Sequence, residues 1–486
     1  MPAAGGIGEA EICVVGGGPA GSATALRLAQ LGHDVCLMER DAFPRAHIGE
    51  SLPPSVLPIL DALGLRGRVD GAGFLRATGS ILYWAGEFER RGASAGQPGL
   101  LVDRGRFDAL LLQAASDAGV RVLQPARARR PRRRAGGWDI PVRGIPDVSM
   151  VRAALMIDAA GKQAGLGRRF RRCSAPLLAL FAYWQAPPGF GPETRVEAGA
   201  AHWYWGALLP DGTVNAIAFV DPAACVGLSP AQRRDLYLNL LAQSTLLSPC
   251  LEGRRIGPVR RCDAASYIEE TPPAPDLLRV GEASFSIDAL SSQGVQSALG
   301  QAMQAAAVAH TVLTRPRDAT LALDFHAARQ QERVRAHANL AAEYYARQAR
   351  HQAAPFWTDR ASPPAWLAQP SPEPPPGQMP DDAPLRLSPE AEIGISGIQT
   401  GDLIAPGPVL THPHLGRPVA LLDGVPVAPL LRQLDCDASA AAIRHHWSGL
   451  VGAGRADRLL RWLWRNRVLV PACRLPIPVS SDARMA

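Results

Sequence analysis

The pattern of apolar and polar positions defines the first elements directly. EICVVGGG, from Glu11, is a short β-rich apolar run stopped by glycines, the pattern of a strand buried on both faces. PAGSATALRLAQLG then spaces its apolar residues at helical intervals and ends on Gly32, and DVCLMER reads as a second buried strand. Strand, helix and strand in immediate succession make one βαβ unit of a doubly wound sheet. From Arg68 to Pro275 short strands mix with helices such as RFDALLLQAASDAG. LLRVGEA returns to a strand near Leu277, a helix follows from Gly294 through QSALGQAMQAAAVAHTVL, and another is predicted over 319–351.

At 486 residues the chain is long enough for two or three domains. The periodicities suggest a nucleotide-binding domain over 1–352, drawn from about 1–67, 100–170 and 275–352, with substrate-binding segments interleaved at about 68–99 and 171–274. PSPEPPPG gives 353–385 the composition of an extended linker, and 386–486 reads as a small α+β module. With 47% hydrophobic and 20% charged residues, the composition is that of a soluble globular protein.

Charge and cysteine content narrow the function classes. The formal charge is +7, and Lys162 is the sole lysine among 51 basic residues. The densest basic run, RARRPRRR, holds Arg127, Arg129, Arg130, Arg132, Arg133 and Arg134. It is either a patch for an acidic partner or a solvated strand end or hairpin tip. No aromatic residue interleaves and no nucleic-acid motif lies nearby, which favours the second reading and no nucleic-acid partner. The eight cysteines (Cys13, Cys36, Cys173, Cys225, Cys250, Cys262, Cys436 and Cys473) include no CxxC pair, so neither a disulfide framework nor a metal site is expected. There is no signal-peptide plan and no apolar run long enough to span a bilayer, so a cytoplasmic protein with no membrane partner is expected.

The first βαβ unit carries the clearest chemistry. Gly16, Gly18 and Gly21 form GxGxxG between strand and helix. The first glycine allows the tight turn, the second the approach of backbone to a pyrophosphate, and the third close packing of helix on strand. The unpaired N–H groups of the helix start favour phosphates. Glu39, eighteen residues past Gly21 at the end of the second strand, is placed to accept hydrogen bonds from a ribose. This unit alone does not distinguish FAD from NAD.

Distant segments make that choice. GGGPAGSATALRLAQLGHDVCLMER, FPRAHIGESLPPS, VDRGRFD, IDAAGK and VGEASFSIDALSSQGV, in this order over about the first 310 residues, resemble flavin-dependent halogenases and related FAD-dependent monooxygenases. The resemblance implies an α/β protein: a Rossmann-type FAD-binding domain with an inserted substrate-binding β-sheet domain, as in aromatic hydroxylases. It also implies FAD contacts at Gly16, Gly18, Gly21, Glu39, Arg40, Arg45, Arg104, Asp158, Gly281, Glu282, Gln293 and Gly294. Glu282 departs from the family, which usually has Asp after that glycine, so its reach to the ribityl chain is less secure.

Three further departures bear on the reaction. The essential lysine of tryptophan halogenases belongs in the stretch that here reads GFLRATGSILYWAG, where Ala77 stands, and alanine has neither donor nor nucleophile. Ser291 replaces a glutamate that some of these halogenases carry. Their WxWxIP signature is half kept, as Trp203, Tyr204 and Trp205 followed by GALLP. The resemblance therefore implies oxygen transfer from a flavin hydroperoxide to an indole, with a halogenase or a prenyl-reductase-like enzyme as alternatives. Hydroxylation needs a dry pocket and a group that manages protons. His47 and Glu50 in RAHIGESLPP are the catalytic candidates, against loop scaffolding. Trp203 and Trp205 alternate along a strand and share one face, so they either line the substrate pocket or simply pack the core.

The last segment carries no cluster of catalytic types. His445 and His446 are adjacent and on a helix point about 100° apart, which makes them poor joint metal ligands. Trp462 and Trp464 in LLRWLWRNR are expected to pack the module against its neighbour. The order of its elements resembles small winged-helix modules that recognise peptides, which implies a peptide or small protein substrate. That agrees with a tryptophan modified within a polypeptide during quinone cofactor maturation. No second nucleotide motif is visible, so a partner reductase supplying reduced flavin is expected.

Overall fold

The computed structural model describes residues 6–93, 98–162, 169–368, 376–434 and 438–472. Cys436 and Cys473 lie outside the described residues. The chain divides into two compact units, one formed by 1–368 with 401–403 and the other by 369–400 with 404–486.

The first unit is built on two sheets. In the first, strands β1 (Gly6–Val15) and β2 (Val35–Met38) flank helix α1 (Pro19–Gln30) in the chain, as the apolar runs predict. The second sheet begins with the hairpin β3 (Gly79–Trp84) and β4 (Glu87–Gly92). Helix α2 (Arg104–Asp117) returns the chain to the first sheet through β5 (Arg121–Leu123), β6 (Arg132–Arg134), β7 (Gly137–Arg143) and β8 (Val148–Asp158).

The middle of the chain then supplies β9 (Leu178–Gln185), β10 (Glu193–Ala198), β11 (Trp203–Leu208), β12 (Thr213–Val220) and β13 (Arg255–Asp263). Strand β14 (Leu277–Arg279) rejoins the first sheet and is followed by helices α3 (Gly294–Thr314) and α4 (Ala319–His351).

Strands β5, β2, β1, β8 and β14 are neighbours in that order and all run parallel, so their C-terminal ends share one edge. The ends of β1, β2, β8 and β14 therefore deliver Gly16, Glu39, Asp158 and Gly281 to the same side, where ligands bind in open α/β sheets. The end of the arginine-rich stretch, Arg132–Arg134, is β6 of the antiparallel hairpin with β7. Arg133 is paired with Asp276 at 2.7 Å, so this part of the run finds its acidic partner inside the molecule.

The second sheet is ordered β13-β9-β12-β11-β10-β3-β4. Its two faces separate cleanly by the twofold period of a strand. Tyr204 packs on one side with Ala182, Trp184 and Tyr237, while Trp203, Trp205, Phe181, Ile217 and Phe219 pack on the other.

The stretch from residue 353 departs from the extended-linker expectation. Pro355–Thr358 is a helical turn whose Trp357 is fully buried and donates its indole N–H to Ala200 O at 2.9 Å. Two aromatic side chains, Phe356 and Trp357, outweigh the proline content here, and the first unit continues to Ala368. Most of PSPEPPPG lies outside the described residues.

The second unit pairs strands β15 (Leu385–Leu387) and β18 (Leu469–Pro471) and carries the hairpin β16 (Glu392–Thr400) and β17 (Leu403–Thr411). Its helices are α5 (Val427–Arg432), α6 (Ala440–Val451) and α7 (Ala453–Arg465). Trp464 is buried in this unit's own core, and its indole N–H donates to Gly377 O at 2.9 Å. Trp462 packs against the same cluster, which corrects the expectation that both tryptophans serve a neighbour. His445 and His446 are exposed, and among the described residues no group of metal-ligating side chains occurs. Among those residues, too, no helix is long and apolar enough to cross a membrane.

Candidate active site

At the C-terminal edge of the parallel strands the backbone itself forms a cradle. Gly16 adopts φ 110°, and a Cβ there would lie 2.4 Å from Ala159 O. A Cβ on Gly21 would lie 1.8 Å from Gly16 O, so no side chain fits. Helix α1 starts at Gly18 with no side-chain cap, which leaves its first N–H groups open to an anion. The buried Glu39 carboxylate accepts from Gly17 N at 2.6 Å and Asp41 N at 2.8 Å, fixing it across the turn. Asp158 is buried at the end of β8 and accepts from Ala160 N at 3.2 Å. Gly281, at φ 61°, has its N–H on Gln301 Oε1 at 3.1 Å, and a Cβ there would strike Ala20. A strip of backbone with no room for side chains, an uncapped helix start and two buried carboxylates fit the phosphates and ribose of a dinucleotide.

The RAHIGES loop is clamped beside this cradle. Asp103 caps α2 by accepting from Arg106 N at 2.9 Å. Arg104 then grips the fully buried Asp108 with two bonds of 3.0 and 3.1 Å, while its Nη1 donates to Ile48 O at 2.7 Å. Arg45 reaches the same Asp108 at 3.2 Å. Arg40, by contrast, is exposed and pairs with its neighbour Asp41. Asp108 was missed by sequence reasoning, although Arg and Asp four apart on a predicted helix were the available signal.

Glu50 is 1% exposed and is the best-placed acid–base group of the loop. Its Oε1 accepts from Tyr183 Oη at 2.9 Å and Asn215 Nδ2 at 3.0 Å, and its Oε2 from Gly49 N at 2.7 Å. Burial raises its carboxyl above the ordinary range, opposed by the Tyr183 hydroxyl, the Gly49 amide and Arg104. His47 Nδ1 donates to Ile48 O at 2.8 Å, and the residue is exposed overall. Even so, desolvation by the crowded loop, with Arg104 and Arg45 nearby, lowers its imidazole to about 4, so it is neutral at physiological pH. Glu282 is open to solvent at its surface but crowded elsewhere, and this desolvation raises its carboxyl against the pull of Arg104 and Lys162. Gln293 and Gly294 stand at the start of α3, after a left-handed Ser292.

Facing Glu50 is the aromatic side of the second sheet. Trp203 stacks on Phe219 with centroids 3.7 Å apart and planes 8° apart, and Trp205 follows on the same face. Ile48, Ala77, Ala289 and Leu290 pack into this cluster. Ala77 thus contributes a methyl group to an apolar wall. Lys162 is paired with Asp263 and sits 4.2 Å over the Tyr267 ring.

Asp288, buried before α3, accepts from Tyr345 Oη at 3.2 Å, and burial raises its carboxyl. Sequence reading missed Tyr183, Asn215, Asp288 and Tyr345. For the first two the signal was the strand alternation that identified the tryptophans. A separate polar cavity of about 280 Å³, lined by Tyr83, His202, Tyr204, Gln348 and His351 among others, shares no residue with the cradle or with Glu50.

With this geometry in place, comparison with known proteins is informative. A family model described as tryptophan halogenase matches residues 11–97 and 89–367. The tryptophan 2-halogenase of Chondromyces crocatus is 30% identical over 372 residues, 72% of this chain and 70% of that protein. Among solved structures, the peptidyl tryptophan dihydroxylase QhpG, essential for tryptophylquinone cofactor biogenesis, is 27% identical with a TM-score of 0.71. That likeness covers 94% of this chain and 99% of QhpG. The flavin-dependent halogenase CmlS, 18% identical, shares the fold at a TM-score of 0.82 over 95% of this chain and 96% of its own. The family model stops at residue 367, whereas both structural likenesses extend into the second unit.

Proposed function

The chain belongs to the tryptophan halogenase family, whose members here are FAD-dependent oxidoreductases of aromatic rings, and from that premise we propose that it hydroxylates an indole. The substrate of this reading is a tryptophan side chain within a peptide or small protein, modified during maturation of a quinone cofactor. The observation that carries it is Ala77, a methyl group packed into the apolar wall at the position where the family resemblance expects the halogenase lysine. The likeness to QhpG over 94% of the chain supports the peptide substrate.

FAD is the cofactor, and in its reduced form it would supply the activation of oxygen. The residues that would hold it are Gly16, Gly18, Gly21, Glu39, Arg45, Asp158, Gly281, Glu282 and the start of α3 at Gln293 and Gly294. Arg104 serves them by fixing the RAHIGES loop. Trp203 and Trp205 exclude water from one side of an aromatic substrate. Glu50, held by three donors and raised by burial, takes the proton that the hydroxylated ring carbon must lose. A separate reductase delivers the electrons. The module over 386–486 engages the polypeptide around the target residue.

Purified protein with FAD, a chemical or enzymatic electron donor, oxygen and a tryptophan-containing peptide should give a product heavier by one or two oxygen atoms. The 30% identity to a tryptophan 2-halogenase favours halogenation as the second reading. A chlorinated or brominated product when the buffer contains that halide would establish it and overturn hydroxylation.

A further inference from the structure

The cluster around Glu50 contains a polar atom that neither the cradle nor the proton chemistry uses. Asn215 is fully buried, and its Nδ2 donates to Glu50 Oε1. Both Glu50 oxygens are already acceptors, Oε1 from Tyr183 and Asn215 and Oε2 from the Gly49 amide. The amide of Asn215 therefore cannot flip, because its oxygen would then face a carboxylate oxygen, acceptor against acceptor. Its Oδ1 is fixed in place, and among the described residues no group donates to it. A buried acceptor left in this state loses its hydration without compensation, so a partner is expected from outside the chain.

The placement of Asn215 indicates the chemistry of that partner. It stands opposite Tyr183 and Ala207 in the sheet, on the face of β12 that also carries Ile217 and Phe219. Two rungs along, on the same face, Trp205 stands opposite Ile217, and its buried indole N–H likewise has no partner among the described residues. One wall of otherwise apolar character thus carries a fixed acceptor and a donor on successive positions of the same face. A ligand that satisfies both carries a flat apolar body with one N–H and one carbonyl. A tryptophan residue in a peptide carries both, through its indole N–H and its main-chain carbonyl.

We propose that Asn215 is a specificity-determining residue whose Oδ1 accepts a hydrogen bond from the ring N–H of the substrate, selecting indoles over rings that lack this donor. The proposal rests on the tryptophan-directed reading above and adds the group by which the ring is recognised. An enclosed site built to accept an N–H rejects an analogue without one, because the acceptor is then left unpaired.

The test uses FAD-loaded wild-type protein, a tryptophan peptide and the same peptide bearing 1-methyltryptophan. The expected result is a preference for the unmethylated peptide of about tenfold to a hundredfold in kcat/KM. Methylation also adds bulk, so a third peptide carries a benzothiophene in place of the indole, which lacks the N–H at similar size. Because that ring is also intrinsically less reactive, it is compared by Kd, and it should bind about tenfold to a hundredfold more weakly than the indole. Asn215→Leu should bring the indole-to-benzothiophene ratio of Kd values close to one while leaving the Kd for FAD unchanged. Equal binding of the indole and benzothiophene peptides by the wild type would overturn the proposal and leave the tryptophan reading standing. Loss of FAD affinity in Asn215→Leu would overturn it by assigning the missing donor to the cofactor ring. If none of the three peptides binds or reacts, the proposal falls together with the reading beneath it. The wild-type comparison needs no variant, so a poorly folding Asn215→Leu leaves the proposal falsifiable.

Discussion

The nucleotide cradle and the aromatic wall both meet the RAHIGES loop, yet they are made from different parts of the chain. The cradle is largely backbone. Gly16, Gly21 and Gly281 contribute the absence of a side chain, and the uncapped start of α1 contributes amide groups. The wall is all side chain, with Phe181, Trp203, Trp205, Asn215 and Phe219 drawn from three neighbouring strands within 178–220. Backbone geometry tolerates almost no substitution and leaves a short local motif. A wall of side chains tolerates exchange and leaves only an alternating pattern. This difference predicts where the protein resembles its relatives and where it acquires its own substrate.

The largest expected effect lies in the cradle. Gly21→Ala would place a methyl 1.8 Å from Gly16 O, and the turn must open to relieve the clash. The expected loss of FAD affinity is about a hundredfold or more, read by flavin fluorescence titration. Flavin binding at wild-type strength would show that the cradle is not the rigid half of the comparison.

Between the two regions stands Glu50. Glu50→Gln should lower kcat by about a hundredfold or more while leaving bound FAD in place. Because burial raises this carboxyl, the wild-type rate should fall as pH drops through a value above the ordinary carboxylate range, and the variant should lose that acid limb. The sign for stability is opposite. A carboxyl that holds its proton more tightly in the fold than in the unfolded chain stabilises most at acid pH. That contribution is lost as pH rises through the raised value. An unchanged pH–rate profile in Glu50→Gln would assign the residue to scaffolding.

The smallest effect belongs outside both regions. Arg133→Ala removes an exposed pair with Asp276 on the β6–β7 hairpin and should cost less than about 1 kcal/mol in thermal unfolding, with activity unchanged. A large loss of activity would instead give the arginine run a functional partner.

Much of the architecture could be read directly from residue patterns. The βαβ unit, the shared face of Trp203 and Trp205, and the start of α3 at Gly294 all follow from local periodicity or local motif. Gly16, Gly18, Gly21 and Glu39 were found the same way, whereas Asp158 and Gly281 were indicated by the resemblance to a known family. Trp357 went unrecognised because its neighbours are prolines and polar residues, and only the packed surface around Ala200 makes that segment part of the first unit. Trp464 was assigned to the wrong surface because an amphipathic helix reveals that it has a buried face but not what covers it.

By itself, then, the amino-acid order determined where glycine must stand and which segments form strands and helices, while the choice of FAD came from the likeness of its motifs to a known family. The positions of glycines and elements depend on steric limits within a few bonds and on periodicity within one element. The tertiary structure alone decided that Asp108 locks Arg104 and Arg45 together, that Tyr183 and Asn215 close on Glu50, and that Ala77 packs into an apolar wall. Hydrogen bonds and desolvation act through space over a few ångströms, so groups such as Glu50 and Asn215, separated by 165 positions along the chain, acquire their chemistry only once the sheet has brought them together.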